Sequence, residues 1–234
     1  MPGRRGAAII AHAPRWGEPQ GGPGTFFMSQ FFVVHPGNPQ KRLIHRAAEL
    51  LRAGGVVVYP TDSCYALGCH LGDKQAMERI RRIRQADKDH NFTLVCRDLS
   101  EIASYARVDN HTFRLLKAHT PGPYTFILPA SREVPRRLQH PKRKTIGIRV
   151  PDHAVPRAML AELGEPVMSS TLMLPGDDAP LTDPEEMRAR LEHQVDLVMD
   201  GGPCGFEPTT VVDLTGETPG VLRTGRGDPA PFGG

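Results

Sequence analysis

Residues 54–68 read GGVVVYPTDSCYALG. Val56, Val57 and Val58 follow two glycines without a polar break. β-Branched side chains are stiff at χ1, and an unbroken apolar run of them suits a strand covered on both faces. Pro60 ends the run, because proline has no N–H to give a sheet ladder. Thr61, Asp62 and Ser63 then place oxygen-bearing side chains at the strand's exit. Ligands of open α/β sheets bind beyond the carboxyl ends of strands, so these groups are placed to meet one. They are also ordinary turn residues, and a turn alone accounts for them.

The remaining chain alternates helix and strand patterns. Residues 31–34 read as a strand. Residues 40–53 read as an amphipathic helix, with Leu43, Ala47, Leu50 and Leu51 at helical spacing. Asp73 is placed to cap a helix reaching about residue 86, Asp98 one to Tyr105, and Asn110 one to His119. Residues 92–96, 124–128, 144–150, 167–172, 195–199, 210–214 and 220–223 read as strands, and 156–163 as a helix. Thr182, Asp183, Pro184, Glu185 and Glu186 form a helix start: a capping oxygen, proline in the first turn, then carboxylates at the positive dipole end. The strand–helix repeat of a doubly wound fold is missing. The reading is α/β: one domain over residues 28–234, a mixed, twisted sheet flanked by helices. Residues 13–25 are rich in proline and glycine, which do not pack. Residues 1–27 therefore read as a disordered extension, or as a misassigned start with Met28 the true one.

Lys and Arg number 29 against 26 Asp and Glu, a formal net charge of only +3. Bulk charge therefore does not predict nucleic-acid binding, but Arg132, Arg136, Arg137, Lys142, Arg143 and Lys144 are clustered. The four cysteines form no CxxC pair, which argues against a structural zinc site or a disulfide framework. No apolar run reaches bilayer length. Reduced thiols without an anchor point to the cytoplasm and to no membrane partner. HExxH, GxSxG and the Walker A loop are all missing, so no metal ligands are assigned and ATP, if bound, is not bound as in P-loop proteins. Arg149 and Arg223 sit in or at the end of apolar strands. A buried guanidinium needs a carboxylate or a phosphate, and both fit the same fork. Asp62 and Asp213 are candidate protein partners.

Several segments together resemble one family. PTDSCYALG resembles the PTDT-x-YGLG signature of the YrdC-like threonylcarbamoyl-AMP synthases. TPGPYTFIL, TIGIRVPDH, EPTTVVDLT and VLRTG resemble further segments of that family in the same order. HNFTLVCRDLSEIA, KRKTIGIRV and SSTLMLPG resemble its YciO branch. The resemblance implies a YrdC-like fold with a concave basic face. It implies the reaction of L-threonine, bicarbonate and ATP, accompanied by Mg2+, to threonylcarbamoyl-AMP and pyrophosphate, for the threonylcarbamoyladenosine modification of tRNA. It makes Arg84 and Arg149 catalytic, and Arg149, Thr171, Thr210 and Arg223 nucleotide-binding (ATP or AMP). It makes Thr61, Tyr65, Thr125 and Ser169 substrate-binding. A second reading is a double-stranded RNA or tRNA-binding module gripping phosphates with the cluster from Arg132 to Lys144.

The chain departs from the synthase pattern twice. The family's KxR pair corresponds to Arg84-Gln85-Ala86, and its SxN pair to Thr171 and Met173. Neither Ala86 nor Met173 can donate a side-chain hydrogen bond to a charged oxygen. Losing one such donor costs a hundredfold or more in rate, on the order of 3 kcal/mol. Lys88 or His90 are spatial substitutes to look for.

Overall fold

The computed structural model describes residues 28–86 and 92–233; Lys88, His90 and residues 1–27 lie outside the described residues. The first half contains β1 (Gln30–Val33), α1 (Lys41–Arg52), β2 (Val56–Tyr59), β3 (Ala66–His70), α2 (Lys74–Arg84), β4 (Thr93–Val95), α3 (Leu99–Tyr105) and α4 (Asn110–His119). The second contains β5 (Tyr124–Pro129), β6 (Thr145–Arg149), α5 (Ala154–Leu163), β7 (Val167–Thr171), α6 (Pro184–Leu191), β8 (Leu197–Asp200), β9 (Thr210–Asp213) and β10 (Gly220–Arg223). All ten strands join one mixed sheet, ordered β1-β8-β2-β3-β7-β4-β6-β5-β9-β10. The α/β reading with a mixed sheet flanked by helices therefore stands.

Local chemistry sets the boundaries. The Asp73 carboxylate accepts from the Ala76 N–H at 2.9 Å and starts α2. Asp98 does the same for Glu101 at 3.0 Å, starting α3. The cap of α4 is Asp109, which accepts from Thr112 N–H at 2.7 Å; Asn110, expected in that role, is already helical. Both residue types cap well, and the neighbouring carboxylate takes the position. α1 ends at Ala53 and the chain turns through Gly54 at φ +82°, where a Cβ would meet the Asp73 carboxylate at 2.6 Å. Asp196 ties this corner together, accepting from Val56 N–H at 2.7 Å and pairing with Arg79 of α2.

β3 is a strand that the sequence does not announce. Residues 60–65 link β2 and β3 as an antiparallel pair, with Val57 opposite Gly68 and Tyr59 opposite Ala66. ALGCH lacks β-branched residues and carries a mid-strand glycine, so its extended form comes from pairing with β2 and β7. The consequence for the site is direct. The threonine, aspartate and serine of the signature sit in a hairpin bend, not at the free end of a parallel strand.

Register sorts the side chains onto two faces. One carries Val56, Val58, Leu67, Leu94, Phe126, Ile148 and Val212, packed under α2, α3, α4 and α6 through Ile80, Ile102, Leu116 and Met187. The other carries Val57, Tyr59, Ala66, Val167 and Leu197, packed under α1 and α5 through Ala47, Leu51, Met159 and Leu160. Those two helices sit over the β8, β2, β3 and β7 side; no other helix among the described residues joins them there. Tyr59 is the largest side chain under this cover, fully buried, with its hydroxyl donating to Ser169 Oγ at 2.7 Å. Burial holds its pKa up at about 12, so it stays a donor. Its ring crosses Gly68, where an added Cβ would stand 2.7 Å from the ring and 2.9 Å from Val167. Gly68→Val should therefore destabilise the fold by about 1–3 kcal/mol through overpacking. A urea unfolding midpoint equal to wild type would show that the ring can yield.

Candidate functional site

A cleft of about 690 Å³ takes its floor from the part of the second face that α1 and α5 do not cover, and Tyr65, Phe92, Leu138 and Ile146 of the other core also line it. Clefts of roughly 300–1,000 Å³ hold small-molecule ligands. Its floor follows the sheet register: Thr93 lies opposite both Gly147 and Ser169, Ile127 opposite Gly147, and Thr125 opposite Val211. All six line the cleft. The floor of the site is thus the sheet's face, and Ser63, Cys64 and Tyr65 of the bend after β2 join its lining. Continuous helix cover would demand an apolar face here; the uncovered stretch instead mixes hydroxyls, glycine and arginine with Ile127 and Val211.

Arg84, Arg143, Arg149 and Arg223 line this cleft from four separate elements. Arg149, at the end of β6, is only 8% exposed. Its Nη2 pairs with the Asp62 carboxylate and donates to Thr61 Oγ1 at 3.2 Å. Asp62 thus answers the question of the buried guanidinium's partner, and it joins the signature bend to β6. Arg84, in the last turn of α2, donates to Ser170 Oγ and contacts the Met173 carbonyl at 3.5 Å. Burial lowers its pKa and the nearby Arg223 adds to this, so the two cations converge. Arg223 donates through Nε and Nη2 to the Thr209 carbonyl at 3.2 and 2.9 Å, and through Nη2 to Thr209 Oγ1 at 3.3 Å. Thr209 Oγ1 lies 2.8 Å from Thr125 Oγ1. A hydroxyl chain therefore runs from β5 to the arginine on β10.

The expected residues divide by what their polar atoms already do. Arg84, Arg149, Thr125, Ser169, Thr171, Arg223 and Tyr65 all line the cleft. The Tyr65 hydroxyl, however, donates to the Gly202 carbonyl at 2.7 Å and accepts from Gly201 N–H at 3.2 Å. Thr61 sits behind the lining; its Oγ1 donates to the Cys64 carbonyl at 2.6 Å and accepts from Ser63 N–H at 3.1 Å. Thr210 is fully buried, donating to the Gly227 carbonyl and accepting from Gly225 N–H at 3.0 Å. Its neighbour Thr209 lines the cleft in its place. Thr210 pairs with Tyr124, whose ring belongs to the opposite face, so strand phase turns Thr210 away. Ser63, which the sequence places at the strand's exit, lines the cleft too, and Ser170 is a further lining hydroxyl to which the sequence reading gave no role.

Arg132, Arg136, Arg137, Lys142, Arg143 and Lys144 are all exposed, on the segment between β5 and β6. They do not act as one set. Arg143 reaches the cleft and lies 3.6 Å from Asp213. Arg137 donates to the Gly72 carbonyl, and Lys144 Nζ to the Pro141 carbonyl at 2.8 Å. Of the departures, Met173 lines the cleft and Ala86 follows the end of α2.

Burial favours the neutral form of two titratable groups near the Asp62–Arg149 pair. Burial pushes the Cys64 thiol up to about 11, against the pull of Arg149 and Arg223. That leaves it a poor nucleophile. His153 caps α5, its Nδ1 accepting from Val155 N–H at 3.2 Å. Burial lowers its pKa, outweighing Asp62 and Asp152. An unfolded chain takes up that proton near pH 6.5 and the folded chain resists it, so His153 lowers stability as pH falls below that point.

Removing one member of the Asp62–Arg149 pair strands the other charge in the wall. Asp62→Ala should cost about 3–5 kcal/mol in chemical unfolding. Adding Arg149→Met should recover most of that loss. Equal stability of Asp62→Ala and wild type would show that water already satisfies Arg149.

Comparison with known proteins places this geometry. The Sua5/YciO/YrdC family model, described as telomere recombination, matches residues 49–225. Escherichia coli YciO is 61% identical over 88% of this chain and 100% of its own length. Its crystal structure superposes with a TM-score of 0.84. The threonylcarbamoyl-AMP synthase of Chromobacterium violaceum is 33% identical over 80% of this chain and 96% of its own. Sua5 of P. abyssi, solved in complex with L-threonine, is 25% identical over 84% of this chain and 58% of that one, with a TM-score of 0.77.

Proposed function

Since the chain belongs to the Sua5/YciO/YrdC family, we propose that its cleft binds ATP and L-threonine and forms threonylcarbamoyl-AMP more slowly than the family's synthases. The observation that carries this reading is the meeting of Arg84, Arg149, Arg223, Ser169 and Thr171 in one cleft. The resemblance gives Arg84 and Arg149 catalytic roles, Arg149, Thr171 and Arg223 nucleotide-binding roles, and Ser169 a substrate-binding one. The proposed reaction takes L-threonine, bicarbonate and ATP to the mixed anhydride, pyrophosphate and water. Arg84 and Arg223 neutralise phosphate charge. Ser169 offers a hydroxyl to threonine and the carbamate, and Thr171 one to the nucleotide, without adding charge. Arg149 keeps its place through Asp62 and contributes positive potential to the wall. Among the described residues no three His, Cys, Asp or Glu side chains gather, and Asp178 is the acid on the lining. Magnesium therefore fits as a companion of the triphosphate, whose charge it offsets.

Binding sums many contacts, whereas rate depends on donors aimed at charge that develops in the transition state. Ala86 and Met173 remove two such donors while the arginines remain. Pyrophosphate release dependent on both threonine and bicarbonate should be measurable but about a hundredfold slower than in a synthase without these departures. Ala86→Arg with Met173→Asn should raise that rate more than it tightens nucleotide binding. A wild-type rate equal to the synthases would show the departures are compensated, and no nucleotide binding by calorimetry would end the reading.

A second reading has its own observation: six basic side chains, all exposed, on one segment beside the cleft. On that reading they grip an RNA backbone. Such binding should weaken steeply with salt, because phosphate contacts release condensed counterions. Binding of a duplex RNA that stayed flat between low and physiological salt, or survived charge reversal of Arg143 and Lys144, would dismiss it.

A further inference from the structure

Five large apolar side chains stand exposed among the described residues: Met28, Val33, Phe113, Phe206 and Leu222. Two of them, Phe206 at 66% and Leu222 at 59%, line the cleft. Both belong to the wall that carries Arg223. Leu222 precedes it on β10, and Phe206 lies on the segment leading to Thr209, to which Arg223 donates. Pro208, Val211 and Ile127 continue the apolar surface into the floor. Arg223 spends Nε and Nη2 on Thr209; among the described residues its Nη1 makes no hydrogen bond and no carboxylate lies within salt-bridge reach. This wall therefore offers an exposed aromatic ring, an exposed aliphatic side chain and an arginine with donors to spare. Threonine is too small and too polar to use the first two. A molecule with a flat apolar end and an anionic end uses all three.

We propose that Phe206 and Leu222 form a base-binding lip, holding the nucleobase of a mononucleotide whose phosphate reaches Arg223. This rests on the nucleotide reading above and adds where the base lies. Stacking on an aromatic ring is tolerant of base identity, so the lip supplies affinity more than choice of base. Phe206 is exposed and supports no core, so replacing it leaves folding intact.

Calorimetry on the full chain with AMP, adenosine and pyrophosphate separates the two ends of the cleft. Phe206→Ala should weaken AMP and adenosine about tenfold and leave pyrophosphate unchanged. Phe206→Trp should keep AMP binding. Arg223→Gln should weaken AMP and pyrophosphate together and leave adenosine unchanged. If Phe206→Ala leaves AMP binding intact, the base lies elsewhere and the lip is wrong, although the nucleotide reading stands. If wild-type protein binds no AMP, both fall. An RNA oligomer that displaced AMP at lower concentration than AMP itself would overturn the mononucleotide as occupant.

Discussion

Two helices about 10 Å wide roof roughly 20 Å of sheet. Ten strands joined side by side span roughly 43 Å, at about 4.8 Å between neighbours. α1 and α5 therefore cover only part of the face they pack on, and the amino acids must answer for the rest. Where α1 and α5 sit, the sheet shows Val57, Tyr59, Val167 and Leu197. Where they stop, it shows Thr93, Thr125, Gly147, Ser169 and Arg149. The cleft is thus less a hole cut in a core than the part of a sheet face that was never given a roof. The opposite face has four helices, and it shows leucine, isoleucine and phenylalanine across its width.

An unroofed face admits arginine where a roofed one would not. Arg149 is the extreme case, because it is nearly buried yet still touches the cleft. Its ion pair with Asp62 costs desolvation on both sides, and the attraction in a low-dielectric wall offsets that without a large surplus. The gain is geometric. The pair fixes the 60–65 bend against β6, and the same bend positions Ser63, Cys64 and Tyr65 on the lining. Tyr59 does comparable work from below, passing its ring under Gly68 to reach Ser169. The signature residues therefore build the cleft wall, and fewer of them are left to meet a ligand than their hydroxyls first imply.

What was legible in the sequence follows from how local each signal is. β2 announced itself through three adjacent valines, and α2 and α6 through aspartates whose side chains do cap them. β3 did not, because ALGCH is extended only through its partners, and those on β7 lie far along the chain, as Gly68 opposite Ser169 shows. The arginines were legible as residues that need partners, yet only folding could choose Asp62 from the available acids. Thr209 and Thr210 differ by one residue and were inseparable by composition. The phase of β9 against β5 gave the cleft to one and a buried turn to the other. Phe206 and Leu222 carried no signal at all, since an exposed apolar residue is ordinary until the structure shows what it overhangs.

The charge balance fits an inward-facing cation set better than a uniformly basic surface. A formal charge of +3 on 234 residues produces little long-range field, and at physiological salt fields fade over about 8 Å. The arginines of the cleft therefore act on what has already entered. Within it, burial first and the nearby Arg223 second lower the pKa of Arg84, and a lower dielectric strengthens the pull of each arginine on an anion. An anion entering there meets several arginines at once, and so is favoured by more than a single surface arginine would offer. That preference is for anionic charge in general. Discrimination among anions must then come from the neutral groups, Ser169, Thr171 and Thr209 on one side and the apolar lip on the other.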